Sequence, residues 1–122
     1  MIKIIFYDNG FQVSGHSKPV TCGEVSAMTY TIIGTIFTID KSASCYLEEG
    51  NTGYTALWFD SDNKIAEVIF GRFVEDFTKW CEECFEKNEF EIKKVLKWIE
   101  WEEIEKEVQR RGLSFDNQKK GE

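Results

Sequence analysis

A β-branched and aromatic run, IKIIFYD, opens the chain and meets Asn9-Gly10, a pair suited to the positive φ angles of a two-residue hairpin turn. The chain returns along FQVSGH, where Phe11, Val13 and Gly15 share one face and Gln12 and Ser14 the other. This alternation predicts a second strand with His16 at its end. From Thr21 onward the period changes. Val25, Met28, Ile32, Ile36 and Ile39 recur every three or four residues, which predicts a helix despite the β-branched residues in TYTIIGTIFTI. Thr21 and Glu24 have the T-x-x-E spacing of a capping box, and Pro19 stands just ahead, so Cys22 is expected to be the first helical residue.

A second hairpin is predicted from SCYLEE and YTALWFD, joined by GNTG. The cap-rich DSDN leads into a helix expected over residues 63–86. On it, Ile65, Val68, Ile69, Phe73, Phe77, Trp80 and Cys84 line one stripe, and Phe70, Val74, Cys81 and Phe85 a second. A helix apolar on two sides needs cover on both, from the last helix or from another subunit. That last helix is predicted across EFEIKKVLKWIEWEEIEKEVQRR, with Asn88 and Glu91 as its N-cap pair and Gly112 at its end. The architecture expected is a single α+β domain over residues 1–112, with residues 86–112 as an additional C-terminal helix and residues 113–122 as a polar, flexible tail. Two β-hairpins form a largely antiparallel four-stranded sheet, ββαββα in order, covered by helices.

Length and composition narrow the class. With 122 residues, 42% of them hydrophobic, the chain can bury one core and is short for a second domain. No apolar run reaches the roughly 18 to 20 residues of a bilayer span, and MIKIIFYDNG lacks an export cleavage site; the expectation is a cytoplasmic protein with no membrane partner. In that setting Cys22, Cys45, Cys81 and Cys84 are expected to be free thiols. A net charge of −7 argues against nucleic acid and favours a peptide or protein partner.

The chemistry concentrates between residues 14 and 28, SGHSKPVTCGEVSAM. A cysteine attacks as its thiolate, and a helix N-terminus favours that anion. Backbone amides of residues 22–24 could stabilise an oxyanion, and Gly23 lets a substrate approach the backbone closely. His16, the only histidine, could take the thiol proton and return it to a leaving amine if the five-residue link SKPVT folds it back. The plain alternative is that Cys22 is a small packed residue and His16 merely ends a strand.

SGHS followed by TCGEVSAM resembles the ribosomal-processing cysteine protease family, Prp. Gly15 and His16 match the family's Gly-His at the end of the second strand. Cys22, Val25, Ser26 and Ala27 match its helix-opening V-C-x-x-V-S-A-like run. The similarity of order covers residues 1–86. The resemblance implies a cysteine endopeptidase that trims the N-terminal extension of a large-subunit ribosomal protein, with Cys22 as nucleophile, His16 as base, and Gly15, Gly23 and Ser26 in support. It also implies a homodimer, with no cofactor and no metal. Two departures stand out: the link between histidine and cysteine is short, and Pro19 occupies the place of an acidic residue three before the cysteine. They motivate two alternatives, a non-catalytic binding or structural relative and a protease redirected to a target such as a viral structural protein. The family's substrates would suit a groove lined by aromatic residues such as Trp58 or Phe59, which are equally suited to the core.

Other signals carry less. Cys81 and Cys84 have C-x-x-C spacing but fall deep in a predicted helix, unlike redox pairs, and no second pair completes a zinc site. DSDNKIA starts like a calcium loop, yet Lys64 and Ile65 stand where a ligand and a glycine belong, so a helix cap is expected. Trp98, Trp101, Ile104 and Val108 are expected to pack the last helix on its own domain.

Overall fold

The computed structural model describes residues 1–47 and 53–121. Its elements are β1 (Ile2–Tyr7), β2 (Gly10–Gly15), α1 (Pro19–Ile39), β3 (Ser44–Tyr46), β4 (Tyr54–Trp58), α2 (Lys64–Cys84), β5 (Phe90–Lys94), α3 (Trp101–Arg110) and β6 (Gln118–Lys120). The six strands form one mixed sheet in the order β5-β1-β2-β4-β3-β6. The pairings are antiparallel except for β1 with β5.

The α+β class, both hairpin strand pairs and the two long helices agree with the sequence; the four-stranded sheet does not. The segment expected to begin the last helix is instead β5, running parallel to β1 from Ile2 opposite Phe90 to Phe6 opposite Lys94. Phe90 and Ile92 pack on the core while Glu91 and Lys93 are exposed, which is the two-residue period of a strand. Pairing satisfies the backbone groups that an open β1 edge would leave unpaired. The helix starts only at Trp101, and its capping box is Glu100 with Glu103, not Asn88 with Glu91. Within the segment expected as a polar tail, a 3₁₀ turn at Phe115–Asn117 leads into β6, which pairs with β3. Most of the second hairpin's turn, residues 48–52, lies outside the described residues.

One face of the sheet is covered by the two long helices, and the β3–β4 side of the other by α3. On the first, Ile4, Phe6, Phe11 and Leu57 meet α1 and α2. Phe6 is the centre of this layer, with edge-on contacts to Phe11, Phe70, Phe73 and Phe77 at centroid separations of 5.8 to 6.4 Å. The buried side of α2 carries Ala66, Phe70, Phe77 and Cys81, and Ile69, Phe73, Val74, Trp80 and Phe85 pack beside them, so both predicted stripes contribute to the core; Ile65, Val68 and Cys84 of the first are exposed. On the opposite face Tyr46, Tyr54 and Ala56 meet Ile99, Ile104 and Val108, so α3 packs on its own domain.

At 21 residues and a mean hydropathy of 1.2, α1 has the length and composition of a membrane-crossing helix, which the run lengths did not anticipate. Here Val25, Ile32, Ile33 and Ile36 are buried in the core.

Asn9 ties the layers together. It sits in the β1–β2 turn, 2% exposed, where its Nδ2 donates to the carbonyls of Phe59 and Ile99 and its Oδ1 accepts the Ile99 N–H, at 2.8 to 3.0 Å. Its role is therefore a buried clamp as well as a turn former. Asn9→Ala removes the partner of the Phe59 carbonyl and of the Ile99 N–H, while the Ile99 carbonyl keeps Trp58 Nε1, and is expected to lower stability by about 2 kcal/mol, read as a shift in the denaturation midpoint.

Candidate active site

The first turn of α1 differs from the sequence expectation in a way that matters for Cys22. The helix begins at Pro19, the position where a missing N–H costs nothing, with Lys18 as a cap residue that makes no side-chain capping bond. Cys22 is thus the fourth helical residue rather than the first. Its N–H donates to the Lys18 carbonyl at 2.9 Å. By the same helical geometry the amides of Gly23 and Glu24 are engaged, so the unpaired donors of this terminus belong to Val20 and Thr21.

Thr21 is not a cap because it lies inside the helix, two residues after its start, and its hydroxyl reaches another element. It is buried, and its Oγ1 donates to Glu89 Oε1 at 2.8 Å across 68 residues of sequence. Glu89, immediately before β5, also accepts the Glu86 N–H at 3.0 Å and lies 3.8 Å from Lys18 Nζ. The Thr21 hydroxyl, then the Glu86 amide, hold its carboxyl below the usual carboxylate range, with the Lys18 charge and the Ser17 hydroxyl adding to the effect against the opposing cost of burial. Sequence reasoning missed Glu89, since nothing local distinguishes it from neighbouring acids.

Cys22 is half-buried and packs against the α1–α2 core. Its sulfur accepts the Ser17 N–H at 3.2 Å and its thiol donates to the Ser17 carbonyl at 3.5 Å. The backbone at the start of the SKPVT link therefore folds back onto the cysteine. His16 itself is exposed; its carbonyl accepts the N-terminal ammonium of Met1 at 2.6 Å. Its imidazole lies over Gly53, where an added Cβ would stand 2.7 Å from Nε2. Among the described residues no hydrogen bond joins His16 to Cys22.

The supporting positions have distinct places. Gly15 ends β2 at φ 88° with its Cα against the Met1 carbonyl, a conformation and a contact that no side chain suits, and its N–H donates to the Gly53 carbonyl at 3.0 Å. Gly23 is exposed with open space where a side chain would point. Ser26 is half-buried one turn after Cys22, and among the described residues its hydroxyl makes no bond to the Cys22 carbonyl. Of the aromatic pair, Phe59 is fully buried in the core, and Trp58 packs in the α3 layer with its Nε1 donating to the Ile99 carbonyl.

The other candidate sites resolve into packing and capping. Cys45 and Cys81 are buried free thiols whose pKa values burial pushes up to about 12. The DSDN segment caps α2, with Asn63 Oδ1 accepting the Ala66 N–H at 3.0 Å, and among the described residues no cluster fit for a metal is found.

Comparison with known proteins adds one result at the level of structure. No protein-family model and no curated protein matches the chain. Among solved structures, the ribosomal processing protease Prp of Staphylococcus aureus with a covalently linked product peptide superposes at TM-score 0.64 and 15% identity, over 78% of this chain and all of that one. The same protease with a substrate peptide gives 0.64 at 12% identity, again over 78% of this chain and all of that one. A Streptococcus mutans protein gives 0.60 at 14%, over 79% of this chain and 96% of that one.

The differing exposure of the four thiols and the lowered pKa of Glu89 can each be measured. Iodoacetamide at neutral pH should label Cys22 and Cys84 in the native protein, and Cys45 and Cys81 only after unfolding, as read by peptide mass mapping. Because the folded state lowers the Glu89 pKa, its contribution to stability is present above the ordinary carboxyl range and lost as pH falls through that range towards the folded value. The stability gap between wild type and Glu89→Gln, measured by thermal unfolding at a series of pH values, should therefore close on acidification. By its superposition on solved structures, the chain has, over 78% of its length, the fold of the ribosomal processing protease Prp.

Proposed function

We propose that this protein is a cysteine endopeptidase of the ribosomal-processing type, with Cys22 as nucleophile and His16 as general base. The observation that carries the reading is the fold-back of the link: the backbone of Ser17, the residue after His16, holds the Cys22 sulfur at 3.2 Å. The Prp neighbours that share this fold hold peptides, one of them covalently.

In the proposed reaction His16 Nε2 takes the thiol proton as Sγ bonds to the scissile carbonyl carbon. Collapse of the tetrahedral adduct breaks the C–N bond, and the proton passes to the leaving amine. Water, deprotonated by the same imidazole, then hydrolyses the thioester. The Ser17 N–H favours the thiolate by donating to it, and the free amides of Val20 and Thr21 are the donors nearest at hand for the oxyanion. For this the imidazole must leave Gly53 and turn to Cys22, a side-chain rotation at an exposed residue.

The substrate class is a peptide segment, with the N-terminal extension of a large-subunit ribosomal protein as the first candidate; the negative net charge favours encounter with such basic chains. The reading places the protein in the cytoplasm, as a homodimer. The rest position of His16 over Gly53 favours one other reading, a non-catalytic relative that binds peptide without cutting it.

Mass spectrometry of a panel of such extension peptides incubated with the protein separates the two. Wild type should cleave, and Cys22→Ala and His16→Ala should each lower kcat/KM by about 10³-fold or more. Binding without cleavage by folded wild type would favour the non-catalytic relative.

A further inference from the structure

A buried carboxylate is kept only where its charge is satisfied, and the one at Glu89 is satisfied by the segment that carries the site. Its side chain is 9% exposed while that of Lys18, its ion-pair partner, is 66% exposed, so the carboxylate and not the lysine is the fixed point. It meets the first turn of α1 through the Thr21 hydroxyl, where the helix dipole favours negative charge. The same residue is anchored by its backbone: the Glu89 carbonyl accepts the Ile2 N–H at 2.9 Å, and its own N–H donates to the Glu86 carbonyl at 3.0 Å. Ile2 follows Met1, whose ammonium holds the His16 carbonyl.

We propose that Glu89 is a positioning residue for the site: by holding Thr21 and Lys18 it sets the path of the Ser17–Cys22 link, and with it the placement of the Cys22 sulfur relative to His16. The path of influence is short. Thr21 precedes Cys22, and Lys18 follows Ser17, whose N–H and carbonyl both bond the sulfur. Loss of the carboxylate charge removes the ion pair with Lys18 and weakens the acceptor that Thr21 donates to, loosening two residues of the link. The role is deeper than local stability because the two ends of the link carry the two reacting groups. The inference rests on the protease reading for its kinetic readout; alkylation of Cys22 reads it without that assumption.

The experiment compares wild type with Glu89→Gln, Thr21→Val and Thr21→Ser. Thr21→Val keeps the shape of the side chain and removes the hydroxyl; Thr21→Ser restores the hydroxyl. Each is assayed below its melting temperature for kcat and KM on a cleaved peptide and for the second-order rate of Cys22 alkylation by iodoacetamide. Glu89→Gln and Thr21→Val should lower kcat by about tenfold with KM within about twofold, and Thr21→Ser should return kcat to within about twofold of wild type. Folded Glu89→Gln and Thr21→Val with unchanged kcat would overturn the proposal. If wild type cuts no peptide, the protease reading fails separately, and alkylation decides: a change of about threefold or more in Thr21→Val, reversed in Thr21→Ser, supports positioning, and a smaller change overturns it. If Glu89→Gln does not fold, the Thr21 pair decides alone by the same criteria.

Discussion

The sheet is buried on one face and on the β3–β4 side of the other, and most of the molecule follows from that constraint. Strands β1, β2 and β4 carry apolar side chains towards α1 and α2, while β3 and β4 present Tyr46, Tyr54 and Ala56 to the other side. One helical layer cannot cover both. The chain therefore returns after α2 as β5, seals the free edge of β1, and crosses to lay α3 on the second face. Asn9 fastens this crossing, because the Ile99 backbone it binds lies in the segment between β5 and α3. The same return brings Glu89 to the start of α1, so an element needed for covering the sheet also shapes the candidate site.

What was legible in the sequence was what depends on neighbours along the chain. The first hairpin follows from two β-rich runs around a turn pair, and α2 from a 3.6-residue stripe with Asn63 as its cap. The stripe of α1 also held, with Val25, Ile32 and Ile36 buried. Local capping logic then failed at Thr21 because the helix starts two residues earlier, at Pro19, and the Thr21 hydroxyl instead binds a carboxylate 68 positions away. The period-two pattern at Phe90 and Ile92 was hidden among Glu and Lys residues with good helix propensity, and only the open edge of β1 makes it a strand. Strand β6 is polar and lies at an edge, where no apolar signal is required.

The candidate site divides in the same way. Gly15, His16 and Cys22 could be picked out because the turn, the strand end and the helix start are local features. Their geometry could not. Cys22 lies one turn deeper in the helix than its sequence context suggested, which moves the available amide donors back to Val20 and Thr21. The link of five residues is short, and it nonetheless returns to the thiol through the backbone of Ser17. A short link of this kind restricts how far its two ends can separate, so the site is set by the few contacts that define its path.

The central claim is covalent catalysis at Cys22, and the most direct measurement is intact-mass analysis of the protein quenched in acid during turnover of a peptide or activated ester. Covalent catalysis predicts an added mass equal to the acyl half of the substrate, mapped to Cys22 by digestion and lost in Cys22→Ala. Substrate turnover with no adduct at Cys22, or an adduct that persists in Cys22→Ala, would contradict it.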